Sequence, residues 1–146
     1  MFMTKFYVRE AVQTDAQALV DLNYLFNGVR RNVDEVQQEL IHTRETIVVA
    51  VLEEQVVGFA CGQVVKSFCY KESIAEITEM YILESERRNG LALRMITLLE
   101  NIFKNVGVKS VKILTGQKNM QAINTYEKAG YHREDHLVMD KKLENI

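Results

Sequence analysis

Glu86-Arg87-Arg88-Asn89-Gly90-Leu91-Ala92 is the stretch whose reading decides the fold. It follows a β-branched, apolar run over residues 74–83 and opens a segment over residues 90–106. In that segment Ala92, Met95, Ile96, Leu99, Ile102, Phe103 and Val106 recur at helical spacing, and Gly107 provides the stop. A buried strand therefore feeds through a Gly-containing turn directly into a long amphipathic helix. The first turn of any helix leaves four N–H groups unpaired and carries about half a positive charge. A phosphate placed there is stabilised without a cationic side chain. Gly90 lets backbone approach an anion closely, Ala92 keeps the next turn small, and Arg87 and Arg88 add charge at the rim. Taken alone, an Asn-Gly turn before a helix is equally a plain strand-to-helix connection.

A second motif follows about thirty residues later: Asn119-Met120-Gln121-Ala122-Ile123-Asn124-Thr125-Tyr126-Glu127-Lys128-Ala129-Gly130-Tyr131. Asn119, Ala122, Ile123 and Tyr126 fall at i, i+3, i+4 and i+7, on one helical face. Asn119 reads as an N-cap that could also touch a ligand, and Gly130 closes the helix. Tyr126 is either a core aromatic with a solvated hydroxyl or a functional phenol.

Outward from these motifs, residues 6–12 read as a first strand. Thr14 with Gln17 forms a capping box for a helix whose stripe is Ala18, Leu19, Leu22, Leu25 and Phe26. Asn32 with Glu35 repeats that signal for a helix over residues 33–42. Residues 47–52 and 56–65, separated by Glu53-Glu54-Gln55, read as a hairpin of buried strands. Residues 66–73 form a loop holding Phe68, Cys69 and Tyr70, residues 110–115 a fifth strand, and residues 131–143 a final pair of short strands. The order β-α-α-β-β-β-α-β-α-β-β describes an α/β (α+β) domain: a mixed, mostly antiparallel sheet of six to seven strands with helices on both faces. No repeat or linker interrupts it, so residues 1–146 are expected to form one domain.

Composition narrows the function classes. The formal charge of −2 offers neither a basic footprint for nucleic acid nor a polybasic membrane patch. The longest apolar run, residues 47–52, cannot span a bilayer, and residues 1–10 lack the apolar core of a signal peptide. Cytoplasmic residence is the expectation. Cys61 and Cys69 read as reduced thiols, and nothing in the spacing of the cysteines with His42, His132 and His136 has the pattern of a zinc site. No metal is expected.

The two motifs closely resemble the coenzyme-binding half of the GNAT superfamily of N-acetyltransferases. Its pyrophosphate loop, Arg/Gln-x-x-Gly-x-Gly/Ala, is matched at Arg87, Gly90 and Ala92. Its second motif is matched at Asn119, Ala122, Tyr126, Glu127, Lys128, Gly130 and Tyr131. Glu84 or Ser85 stands where many members have proline. The resemblance covers roughly residues 74–131, and the N-terminal half agrees in element order. It implies an enzyme that moves an acetyl group from acetyl-coenzyme A to an amine. It also implies coenzyme contacts along Met80, Tyr81 and Ile82, whose strand would pair with the pantetheine arm. Further contacts would come from Arg87, Arg88, Asn89, Gly90, Leu91, Ala92 and Leu93, and from Asn119, Ala122 and Tyr126. Lys118 and Lys128 would be either solvated or in contact with the coenzyme's 3′-phosphate.

Chemistry of that kind sets three tasks. Positioning can supply roughly 7–11 kcal/mol. An alkylamine of pKa about 10.4 must lose a proton, at a cost of roughly 4–5 kcal/mol at pH 7. A tetrahedral oxyanion must be stabilised, for which the resemblance points to the N–H of Ile82. Tyr126 is the family-matched proton donor to the leaving thiolate. Strict alternation puts Glu79 with Ala75, Ile77, Tyr81 and Leu83 on one face of its strand, and Glu76 with Thr78 and Met80 on the other. A carboxylate in an apolar strand is costly unless solvated or paired, so each is a candidate base or ammonium ligand, Glu79 ahead of Glu76. A bulge could re-aim either. The acceptor pocket would draw on Tyr24, Phe26, Arg30, Arg31, Asp34, Glu35, Phe68 and Tyr70. The alternative is a non-catalytic acyl-coenzyme A-binding sensor. Monomer and homodimer are both open.

Overall fold

The computed structural model describes residues 5–144. The first residues of the leader reading lie outside that range. Among the described residues five strands, β1 (Phe6–Glu10), β2 (Thr46–Leu52), β3 (Gln55–Val65), β4 (Ile74–Ile82) and β5 (Ser110–Ile113), form one sheet in chain order. β1 to β4 pair antiparallel and β5 joins β4 in parallel. Helices α1 (Ala16–Asn27), α2 (Val33–His42), α3 (Leu91–Asn105) and α4 (Met120–Lys128) complete the architecture. The mixed, mostly antiparallel sheet with flanking helices is as expected. The expected final pair of strands is not formed: residues 131–144 have no ladder partner among the described residues.

Alternation along the strands divides the apolar side chains between two layers. Val48, Ala50, Ala60, Ala75, Ile77 and Ile82 face α3, which supplies Leu91, Met95, Leu99 and Phe103. Val49, Val51, Phe59 and Cys61 face α1, which supplies Leu19 and Leu22. The expected stripe of α3 is borne out at Met95, Ile96, Leu99 and Phe103, all buried, whereas Val106 at its end is exposed.

The entry to α1 differs from the Thr14–Gln17 capping box. A 3₁₀ turn over Gln13–Asp15 precedes the helix, and Asp15 organises it. Its carboxylate accepts from the Val12 N–H at 2.7 Å and from both terminal nitrogens of Arg9 at 2.7 and 2.9 Å. Asp15 is the one buried charged residue among those described. Burial opposes its ionisation, but Arg9 and the Val12 N–H outweigh it and hold the carboxyl below its ordinary range. Asp15→Asn should therefore cost about 2 kcal/mol, because it leaves a half-covered guanidinium without its bidentate partner. Because the folded-state pKa is depressed, the pair's contribution is complete above the unfolded value of about 3.9 and fades as pH falls through the folded value. Thermal melts of the two proteins should differ at pH 7 and converge below about pH 4.

Candidate functional site

Two irregularities build the site. The first is the split between β4 and β5. Their parallel pairing runs from Ile74↔Ser110 to Ile77↔Ile113, with a last bond from the Leu114 N–H to the Ile77 carbonyl at 3.1 Å. Beyond it β4 continues to Ile82 with no neighbour on that side among the described residues. The Leu83 N–H bonds the Val57 carbonyl, so antiparallel alternation turns Tyr81 toward β3 and Met80 and Ile82 outward. Arg87 confirms this: its Nε donates to the outward Ile82 carbonyl at 2.9 Å, and its guanidinium lies 5.5 Å from the Tyr81 ring centre. The outward N–H groups of Met80 and Ile82 remain available along the split.

At the end of that edge the chain enters α3. Arg88 and Gly90 both take left-handed backbone, at φ +70° and +75°, on either side of Asn89, whose amide donates to the Glu86 carbonyl at 3.2 Å. Gly90 is the N-cap, and no side chain caps the helix. The N–H groups of Leu91, Ala92 and Leu93 have no acceptor among the described residues. A Cβ on Gly90 would meet no protein atom within 4 Å. Among the described residues, nothing fills the space a side chain on Gly90 would enter. Consecutive free N–H groups around left-handed residues make an anion-binding concavity, and the dipole of a 15-residue helix reinforces it. The donors present suit a pyrophosphate, and the free strand edge suits an extended amide-bearing arm.

Following β5, α4 touches α3. Asn119 is its N-cap, accepting from the Ala122 N–H at 3.2 Å, so its amide nitrogen is left for another partner. Ala122 and Tyr126 are partly buried on the same face as the buried Ile123. Burial raises the Tyr126 phenol above its ordinary pKa, which keeps it a proton donor at neutral pH. Lys118 and Lys128 are exposed.

The second irregularity lies inside β4. Its register with β3 passes from Cys61↔Glu79 to Gly62↔Ile77, which leaves Thr78 as an extra residue. Gly62 permits this: a Cβ there would lie 2.9 Å from both the Glu76 carbonyl oxygen and the Phe103 ring. The extra residue overturns strict alternation. Ala75 and Ile77 before the bulge, and Met80 and Ile82 after it, all pack in the α3 layer. Glu76 and Glu79 thus share the opposite, α1-side face instead of lying on two faces. Glu79 accepts a hydrogen bond from Thr78 Oγ1.

That face holds a residue the sequence reading missed. Carboxylate oxygens of Glu45 and Glu79 and the Cys61 thiol lie within 4.8 Å of one another. Burial, and then the charges of Glu79 and Glu39, push the Glu45 carboxyl up, while Cys61 pulls it down. Burial and the two glutamates push the Cys61 thiol up as well. The Glu45 carboxyl, raised by its burial, stands beside Glu79 as a neighbour able to hold a proton. Cys61 is buried and Cys69 exposed, and both are unbridged.

Of the expected acceptor residues, Phe26 packs on Phe59 and Tyr81 at ring-centre distances of 5.9 and 5.7 Å. Arg30 stacks on Tyr24 and pairs with Asp21, and Arg31 pairs with Glu39. Those arginines lie on the α1–α2 loop and are engaged by the helices on either side of it. Phe68 and Tyr70 stand exposed on the β3–β4 loop.

Residues 14–131 match the model of the family described as Acetyltransferase (GNAT) family. The chain belongs to that GNAT family. Solved structures share its fold. An aminoglycoside acetyltransferase from an uncultured soil metagenomic sample, in complex with sisomicin, superposes with a TM-score of 0.82 at 17% identity, covering 96% of this chain and 97% of that one. Aminoglycoside N-acetyltransferase AAC(6')-Iy in complex with CoA gives 0.83 at 14% identity, covering 97% of each. A ribosomal-protein-alanine N-acetyltransferase from Brucella melitensis biovar Abortus 2308 gives 0.80 at 13% identity, covering 94% and 100%. At such identities the likeness is one of fold. The GNAT family supplies the general chemistry, acetyl transfer from acetyl-CoA.

Proposed function

We propose that this GNAT protein transfers the acetyl group of acetyl-CoA to a primary amine of a small molecule or peptide, by direct attack in a ternary complex. The bulge at Thr78 is the observation that carries the reading. It aims Glu79 at the α1 side, beside Glu45, while the next residues keep the Met80 and Ile82 N–H groups on the split edge. Base and oxyanion donors therefore sit on one strand, a few residues apart. Glu79 takes the ammonium proton, with Glu45 as the neighbour that can hold it. The freed nitrogen attacks the thioester carbon, and the oxyanion forms opposite the Ile82 N–H. The C–S bond then breaks as Tyr126 protonates the departing sulfur, and the second proton that the nitrogen loses as the amide forms returns the Tyr126 phenolate to phenol. Glu76, on the same face, is the second carboxylate for a cationic acceptor. Phe26, packed on Phe59 and Tyr81, supplies an aromatic wall on that side, which suits an amine carried on a larger body. The solved relatives that act on aminoglycosides and on a ribosomal protein's alanine span that range.

Calorimetry should show saturable acetyl-CoA binding, and thiol release against a panel of aminoglycosides, polyamines, amino acids and peptides should find an acceptor. Binding without transfer to any amine would favour the sensor instead. Tyr126→Phe should lower kcat by about 10- to 100-fold while the KM for acetyl-CoA stays within about threefold. The effect is modest because a thiolate of pKa about 8.5 leaves readily. An unchanged kcat would remove Tyr126 from the chemistry.

A further inference from the structure

Helix α4 carries Tyr126, yet little of the fold holds that helix. Ile123 is its one buried residue, and α3 is the element it packs on. Among the described residues, every hydrogen bond made by residues 119–131 stays within residues 116–131, with one exception. The half-buried Tyr131 hydroxyl donates to the half-buried Glu100 carboxylate of α3 at 2.8 Å. Burial, and then Glu100, push the Tyr131 phenol up, so it remains a donor throughout the neutral range.

Tyr131 is also coupled to Tyr126 through the backbone. Gly130 takes left-handed backbone at φ +97°. The Gly130 N–H bonds the Glu127 carbonyl and the Tyr131 N–H bonds the Tyr126 carbonyl, each at 3.0 Å. Those two bonds are a Schellman closure, which folds the residue after the left-handed glycine back onto the last helical turn. Tyr131 therefore stands one hydrogen bond from the peptide of Tyr126 and one from α3. We propose that Tyr131 is a positioning residue, whose bond to Glu100 fixes the Tyr126 phenol relative to α3 and the coenzyme at its first turn.

The proposal rests on Tyr126 as the proton donor to the departing sulfur. Such a donor must lie within about 2.6–3.2 Å of its acceptor, and a displacement of about 1 Å can cost on the order of 10²-fold in rate. A helix seated by one apolar side chain is free to roll, because apolar contact has no direction. A hydroxyl held by a carboxylate is charge-assisted and directional, and it removes that freedom. Phenylalanine at position 131 would keep the ring and lose the bond.

A mutant cycle read by thiol release at saturating acetyl-CoA tests this, with the aminoglycoside, polyamine or peptide that turns over fastest as acceptor. Tyr131→Phe should lower kcat about three- to tenfold and leave the KM for acetyl-CoA within about threefold. Glu100→Gln keeps an acceptor oxygen and should stay within about twofold of wild type, whereas Glu100→Ala should match Tyr131→Phe. The double variant Tyr126→Phe, Tyr131→Phe should be no slower than Tyr126→Phe alone, since a positioning effect vanishes with the group positioned. Without any acceptor, amides of α4 should exchange hydrogen faster in Tyr131→Phe while those of β1 to β4 are unchanged. A normal kcat in Tyr131→Phe beside a slow Tyr126→Phe would overturn the proposal and leave the role of Tyr126 standing. Multiplying losses in the double variant, a Glu100→Gln as slow as Glu100→Ala, or α4 exchange indifferent to Tyr131→Phe would overturn it too. An unchanged kcat in Tyr126→Phe would remove the donor, and the positioning role with it.

Discussion

Glu79→Gln should lower kcat/KM for the amine by on the order of 10²- to 10³-fold at pH 7 and by far less near pH 10. The steep dependence follows from the amine. At pH 7 an alkylamine of pKa about 10.4 is free base in roughly one molecule in 2,500. An enzyme with a working carboxylate recruits the ammonium and removes its proton in place. An enzyme without one waits for amine that arrives deprotonated, and its rate then climbs about tenfold per pH unit. The acetyl-CoA KM should stay within about threefold, because Glu79 lies on the α1 side of β4 and the coenzyme edge is the backbone of its neighbours. A pH–rate profile parallel to that of the wild type would eliminate Glu79 as the base.

Glu45 sharpens the test. Its carboxyl, raised first by burial and then by the Glu79 charge, retains a proton to higher pH than an ordinary glutamate. If Glu45 can act as the base when Glu79 is gone, the double variant Glu45→Gln, Glu79→Gln will fall below the Glu79→Gln single at neutral pH. If Glu45 only tunes its neighbour, the double will match that single, and Glu45→Gln alone will shift the acid limb of the profile while leaving its plateau near wild type. Equal profiles for Glu45→Gln and the wild type would remove it from the site.

The coenzyme half was legible in the sequence because its signals are local. A glycine before an apolar helical stripe fixes an uncapped N-terminus, and Asn119 with Ala122 and Tyr126 is a spacing within one helix. The acid cluster was not legible, because it depends on register between strands. The hairpin turn pairs Leu52 with Gln55, and undisturbed pairing from there would set Ile47 opposite Ala60. The irregularity at Ala50/Val51 moves Ile47 to Cys61 instead, and the bulge at Thr78 then sets Cys61 opposite Glu79. Two one-residue shifts, neither marked by proline or an Asn-Gly turn, gather Glu45, Cys61 and Glu79. The final strands failed for a related reason. Residues 131–143 carry the apolar Leu137, Val138, Met139 and Leu143, but a strand also needs a ladder partner, and none of the described residues supplies one.

Gly90→Val should raise the KM for acetyl-CoA by on the order of a hundredfold while changing kcat at saturation by less than about threefold. Two effects act in the same direction. Gly90 holds φ +75°, where a β-branched residue is strained by about 1–2 kcal/mol, so the turn relaxes and the N–H groups of Leu91, Ala92 and Leu93 lose their common aim. The new side chain also enters the space above the turn, where no protein atom lies within 4 Å of a Cβ. Because that space is empty of protein, thermal stability should fall by no more than the backbone strain, about 1–2 kcal/mol. Gly90→Ala, with the strain and little of the bulk, should sit between the two, near tenfold. Calorimetric acetyl-CoA affinity that is indifferent to valine at this position would mean that the opening of α3 is a plain connection and that the diphosphate is held elsewhere. A large loss of stability with affinity intact would mean that Gly90 serves the fold alone.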